Sequence, residues 1–166
     1  MVTRNEIVKY LEEVFAEVSF ADYSYNGLQF EGSDKVSKIA AGVDATNEFF
    51  VEAARQKADF ALVHHGLFWK GAEWCRLDRI NQKIFKNLLA ANLNLYAMHL
   101  PLDAHPKFGN NAVMARLLKA EVIAPFGGSR GNAVGVLARF KTAITLTELK
   151  KRIEKVVGPI VTSLDF

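Results

Sequence analysis

The sequence predicts an α/β fold in which a largely parallel sheet is flanked by helices, followed by the beginning of a second α/β unit that reads as truncated. Two observations carry this. Short apolar runs alternate with amphipathic stretches three times, the pattern of β-α-β crossovers. A glycine-rich segment then opens a second strand and helix, and the chain stops on what reads as one further strand. The expected division is a metal-binding α/β unit over 1–125 and an incomplete unit over 126–166.

The elements follow in order. Residues 3 to 18 place Ile7, Val8, Leu11, Val14, Phe15 and Val18 at helical spacing, behind a Thr3-Arg4-Asn5-Glu6 capping box. Asp22 to Gly32 reads as a loop, punctuated at Asn26-Gly27. Lys38 to Ala45 reads as a buried strand ending in Asp44, and Thr46 caps a helix to about Lys57. Phe60 to Val63 is a second apolar run emptying into His64-His65-Gly66. Residues 79 to 91 form a helix with Ile80, Ile84, Leu88 and Ala91 on one face. Leu93 to Met98 is a third strand, emptying into His99-Leu-Pro-Leu-Asp103, and a helix follows over about Asn110 to Leu118. Pro125 to Gly131 reads as a linker or hinge, matching neither phosphate-binding glycine motif. Beyond it come a strand over Ala133 to Phe140, a helix over Leu146 to Val157 opened by Thr147 and Glu148, and a strand starting at Ile160 to Ser163.

Composition sets the outer bounds. The 166 residues, 50% of them hydrophobic, suffice for a core, since a chain of this size buries roughly 70% of its unfolded surface. A surplus of 21 basic over 18 acidic residues gives only +3, too little to argue for nucleic acid. The basic helix face formed by Lys150, Lys151, Arg152 and Lys155 reads as solvated. Cys75 is the only cysteine, so a thiolate zinc cluster and an internal disulfide are excluded, which fits a reducing, cytoplasmic setting. No apolar stretch is long enough to span a membrane, and the charged N-terminus does not resemble a signal peptide.

The chemistry concentrates in one region. All four histidines, His64, His65, His99 and His105, fall in a single stretch with Asp103. Ligands gather outside the carboxyl ends of parallel strands, and both His64-His65 and His99-x-Pro-x-Asp103 stand at such ends. Imidazole and carboxylate together suit zinc, manganese, iron or nickel. Adjacent strand residues face opposite ways, so His64 and His65 share a pocket only where the strand breaks, which Gly66 permits, or each binds its own ion. Pro101 stiffens the loop presenting Asp103. Taken singly, each histidine reads more simply as a strand terminus or a core residue, but the cluster reverses those odds. Asp44 reads as a helix cap before it reads as a partner to the site. Phe68, Trp69 and Trp74 could line a pocket, with core packing or a subunit contact the simpler explanation.

Three segments carry a family resemblance: Asp22-Tyr-Ser-Tyr-Asn-Gly-Leu-Gln-Phe-Glu-Gly32, Val63-His-His-Gly-Leu-Phe-Trp-Lys-Gly71 and His99-Leu-Pro-Leu-Asp-Ala-His-Pro-Lys-Phe-Gly-Asn-Asn111. In this order they resemble the NGG-one-interacting-factor-three-like family of toroidal hexamers with a dinuclear metal centre, often called GTP cyclohydrolase I type 2 homologues. The likeness covers about residues 1 to 140 well and the rest loosely. It implies that His64, His65 and Asp103 are metal ligands, that His99 lines the same pocket as the catalytic group, and that two divalent ions fill a complete site. Family members carry a further H-x-x-x-E pair near their C-terminus, whereas no histidine follows His105 here. Metal occupancy is therefore expected to be weak or partial in this chain.

Two functions compete at this level. In the first, a metal-dependent hydrolase uses metal-activated water, with His99 or His105 moving a proton and, by family label, a nucleotide such as GTP as substrate. In the second, a ring-shaped homohexameric scaffold holds its metals without catalysis, assembling through apolar patches such as the Phe68 to Trp74 loop. A nucleic-acid module is a distant third.

Overall fold

The computed structural model of the chain describes residues 1–18, 21–71, 78–128 and 133–164, without the side chains of residues 79 and 80. It consists of two compact units, residues 1–102 and residues 103–166. Trp74, Cys75, the Ile80 side chain and part of the glycine-rich stretch lie outside the described residues.

The first unit opens with β1 (Val2–Thr3), α1 (Arg4–Phe15), β2 (Gly27–Phe30) and β3 (Lys35–Val36). It continues with β4 (Ile39–Asp44), α2 (Asn47–Arg55), β5 (Phe60–His65), α3 (Arg79–Ala91) and β6 (Asn94–Ala97). The expected capping box is present: Thr3 Oγ1 accepts from the Glu6 N–H, and the Glu6 carboxylate accepts from the Thr3 N–H. Thr46 caps α2 in the same way through the Phe49 N–H.

The main sheet has four strands in the order β2-β6-β5-β4, and the β4-β5 and β5-β6 pairs are parallel. The fourth strand was not expected. Gly27–Phe30, read from the sequence as loop, pairs antiparallel with β6 as an edge strand. The turn signal at Asn26-Gly27 marks the start of this strand, and its four residues are too few to show an alternation. Val2–Thr3 and Lys35–Val36 form a separate two-stranded ladder. A second correction concerns β4, which is an edge strand, not a buried one: Ile39 and Val43 are exposed.

Strand alternation divides the core between the two faces of the sheet. Ala61, Val63, Leu95 and Ala97 join Phe50, Ala53, Ile84 and Leu88 of α2 and α3. Phe60 and Tyr96 point the other way, to Val36, with Ile7, Val8, Leu11 and Phe15 of α1 and Leu62 packed around them. At the centre Asn94 is fully buried.

The second unit holds α5 (Asn110–Leu117), β7 (Glu121–Phe126), β8 (Gly135–Arg139) and α6 (Leu146–Val157), with the short α4 (Leu100–Ala104) running into it. β7 and β8 pair antiparallel, closing at Phe126 opposite Gly135. The glycine-rich stretch thus begins within a strand, and Gly127 takes a positive φ of 62°. Thr145, not Thr147, caps α6 by accepting from the Glu148 N–H. The strand expected over Ile160 to Ser163 is absent: those residues join no ladder among the described residues. No helix among the described residues is long and apolar enough to cross a membrane.

Candidate metal centre

His64 and His65 are the last two residues of β5, and His99 follows β6 by two residues. The parallel pairing of β5 with β6 therefore brings the three imidazoles to one end of the sheet, as the position of ligand sites in open α/β sheets requires. Their ring centroids are 4.4 Å apart for His64 and His65, 5.1 Å for His64 and His99, and 5.5 Å for His65 and His99. One ring nitrogen of each lies within 4.8 Å of the other two.

The strand does not break to allow this. Asp44 still pairs with His65 in register, so β5 is regular through both histidines. The rings meet because they are the last side chains of the strand and lean in over its end. Gly66 serves a different purpose from the one its sequence position suggests: a Cβ there would strike the side-chain amide of Gln29 and come 2.6 Å from the Ala97 Cβ. Gln29 Oε1 in turn accepts the N–H groups of Leu67 and Phe68, which fixes the chain just past the histidine pair.

Each imidazole is held by its Nδ1. The Nδ1–H of His64 donates to the Met98 carbonyl at 3.0 Å, that of His65 to Asp44 Oδ1 at 2.6 Å, and that of His99 to Asp22 Oδ1 at 2.9 Å. An oxygen acceptor on Nδ1 places the hydrogen of the neutral ring there and leaves the lone pair on Nε2 in all three cases. Carboxylate or carbonyl behind imidazole is the support that metal-binding histidines ordinarily have. In a tetrahedral zinc site the nitrogen donors stand about 3.4 Å from one another, so the three rings must close inward by up to about 1.4 Å to grip one. The residues present thus fit a divalent ion.

Asp22 is the most enclosed of these supports, its side chain only 2% exposed. Burial pushes its carboxyl upward, but hydrogen bonds from Asn26, His99, Ser24 and Leu100 outweigh burial and hold it below the usual carboxylate range. Trp69 completes the wall, its ring 4.9 Å edge-on from His99 and its Nε1–H on the Gly66 carbonyl. Phe68 instead joins the core, 6.1 Å from Phe85. Asp44, read first as a helix cap, is the partner of His65, because Thr46 takes the capping role.

Asp103 and His105 belong to the second unit and are described with it. The Asp103 carboxylate accepts from the Asn110 side chain at 2.8 Å, and its carbonyl accepts from Asn111. His105 is 3% exposed, and its Nδ1 accepts the N–H groups of Lys107 and Phe108. That makes it an organiser of the turn before α5. Among residues of the first unit, Asp22, Asn26 and Gln29 were not expected to matter.

The family model for Duf34/NIF3 (NGG1p interacting factor 3) matches residues 2–164. The chain belongs to this family. The three-segment resemblance read from the sequence and the family match agree. A Deinococcus radiodurans relative of the family, called GTP cyclohydrolase 1 type 2 homolog, is 40% identical over 159 residues, covering 96% of this chain and 60% of the relative. One from Pyrococcus horikoshii with the same name is 40% identical over 164 residues, covering 98% of this chain and 65% of the relative. The chain thus spans less than two thirds of the length of these family members. A solved structure from Thermus thermophilus superposes with a TM-score of 0.83 at 34% identity, over 95% of this chain and 62% of that one. The structure of ybgI, described as of unknown function, gives 0.82 at 36% identity, over 93% of this chain and 60% of that one.

Proposed function

We propose that the chain carries the metal centre of a metal-dependent hydrolase, with His64, His65 and His99 holding a divalent ion through Nε2. The single observation behind this reading is that all three Nδ1–H groups are committed to oxygen acceptors around one cluster. His99, expected as the catalytic group, joins the donor set on this geometry. Asp103 is proposed as a ligand to a second ion, which rests on the sequence resemblance alone. A bound divalent ion supplies Lewis acidity, activating water and polarising a substrate oxygen. The chain's residues orient the donors: Met98, Asp44 and Asp22 fix the rings, and Trp69 closes one side against solvent. A nucleotide is the proposed substrate because the relatives are called GTP cyclohydrolase 1 type 2 homologs. Action in the cytoplasm belongs to the same proposal.

A second reading, a self-associating scaffold in a hexameric ring, draws on the exposed apolar side chains Val2, Tyr10, Ile39 and Val43 around the α1 and β4 surface. Such exposure suits a subunit contact.

The test is zinc and manganese titration against a chromophoric chelator, alongside hydrolysis of nucleoside triphosphates. His64→Ala, His65→Ala and His99→Ala are each expected to weaken metal binding at least tenfold and to abolish turnover. Loss of turnover in His99→Ala with full metal affinity would return His99 to a proton-transfer role. Metal binding without turnover, together with a stable ring, supports the scaffold. A wild-type chain that retains no ion overturns the metal reading.

A further inference from the structure

We propose that the cleft between the end of α5 and one face of α6 binds a small organic phosphate, with Lys119, Lys151 and Lys155 around its phosphate and Leu117, Leu118 and Val156 against its apolar part. The site uses no residue of the imidazole cluster and is independent of the metal reading.

Glu148, Lys151, Arg152, Lys155 and Val156 recur at three- and four-residue spacing along α6, so they share one face of the helix. The sequence reads the basic part of that face as solvated. Instead it lines a cavity of about 630 Å³, whose other wall is Leu117, Leu118 and Lys119. Small-molecule sites span roughly 300–1,000 Å³, and this cavity falls within that range.

Its charge is one-sided. Among the described residues four cationic side chains face one carboxylate there, a surplus equal to the +3 of the whole chain, so acidic and basic residues cancel over the rest of the sequence. Arg152 is already engaged: its Nε donates to Glu148 Oε1 at 2.8 Å, and its guanidinium lies over the Phe140 ring. Lys119, Lys151 and Lys155 make no salt bridge among the described residues. Nor does the end of α5 need them as caps. The Met114, Ala115 and Arg116 carbonyls accept the N–H groups of Leu118, Ala120 and Lys119. Three ammonium groups therefore border one concave space and repel one another until an anion enters it.

Phosphate suits these groups better than a carboxylate does. It gathers close to two charges and three acceptor oxygens on one centre, and a lysine ammonium binds it as a point charge from any direction. An organic phosphate suits them better than the bare ion. Leu117 is 55% exposed beside the lysines, and Leu118 and Val156 extend the same apolar surface. Covering that surface is favourable in proportion to its area.

The test titrates naphthyl phosphate and inorganic phosphate calorimetrically into the full chain at low salt. Naphthyl phosphate is expected to bind about tenfold more tightly, because its rings cover the leucine surface. Lys151→Gln/Lys155→Gln should weaken both ligands about tenfold or more. Leu117→Ser should bring naphthyl phosphate down to the level of inorganic phosphate. All three positions are exposed, so these variants are expected to fold as wild type does. Lys83→Gln/Lys86→Gln removes the same charge from exposed positions of α3 and should leave both affinities unchanged. Equal losses in the two lysine double variants would reduce the binding to net charge and overturn the proposal. So would naphthyl phosphate binding no better than inorganic phosphate, or not at all at millimolar concentration. Binding lost in His64→Ala but kept in Lys151→Gln/Lys155→Gln would move the anion to the imidazole cluster, and retention on phosphatidic acid vesicles without binding of the free probe would move the contact to a membrane surface. Either result overturns the assignment.

Discussion

Asp44 and His65 sit at directly paired positions of neighbouring parallel strands, and the carboxylate of one accepts the Nδ1–H of the other at 2.6 Å. The pair is open to water, with side chains 59% and 41% exposed. Solvent competes for an exposed contact, so its support is weaker than that of the enclosed Asp22. Asp44→Ala is expected to lower zinc affinity by about tenfold, the low end for such partners, with stability changed by no more than about 0.5 kcal/mol. Chelator competition and thermal melting check the two halves. A loss of about 100-fold or more would show that exposure to water does not weaken this support.

Gly66 yields a different expectation. Its neighbours, the Gln29 amide and Ala97, leave no room for a methyl group. Gly66→Ala should cost about 1–3 kcal/mol, the range for overpacking, read from the urea midpoint. Gln29 would also be pushed from the Leu67 and Phe68 N–H groups, so metal affinity should fall with stability. Unchanged values of both would mean that Gln29 yields without disturbing the loop.

How far the site could be read in advance follows from which forces act locally. His64, His65 and His99 were legible because strand ends in parallel sheets collect ligands, and that rule needs only the strand positions. The Thr3 and Thr46 caps were legible because a cap acts within three residues. Asp22 was not, since its partners Leu100 and His99 stand more than seventy positions away in the chain, and nothing in a polar stretch announces such a partner. β2 escaped for a related reason: an edge strand of four residues is defined by the strand it joins, β6, more than by its own pattern. In the second unit, Ile160 to Ser163 had the residue types of a strand but joins no ladder, and residue type alone does not make one.

Asn94 is the core position where polarity matters most. Its Nδ2 donates to the carbonyls of Ser33 and Asp59, and its Oδ1 accepts the Gly32 N–H, so all three contacts are made without exposure. Asn94→Ala would leave the half-buried Gly32 N–H and Ser33 carbonyl without these partners. The expected loss is about 2–4 kcal/mol, measured by denaturation. Asn94→Leu should be no better, since the backbone groups remain unpaired whatever apolar volume is restored. A loss under about 0.5 kcal/mol would mean that water reaches these groups.

Asp59 carries the clearest pH dependence outside the metal site. Burial pushes its carboxyl upward. The Ser37 N–H, the Ser37 hydroxyl and the Lys38 N–H, all on Oδ2 at 2.7–3.0 Å, together with the Lys38 charge, bring it below the usual carboxylate range. A carboxyl depressed in the folded state binds fewer protons there than in the unfolded state. Its contribution is therefore complete above the unfolded value of about 3.9 and disappears as the pH falls through the lower, folded one. Asp59→Asn keeps one acceptor and loses the charge, so it should be less stable than wild type by about 1–2 kcal/mol at pH 7. That gap should narrow as the pH falls below the ordinary carboxylate range and the wild-type carboxyl protonates. Denaturation at a series of pH values checks this, and a gap that stays constant down to the acid end would show that the charge on Asp59 contributes nothing.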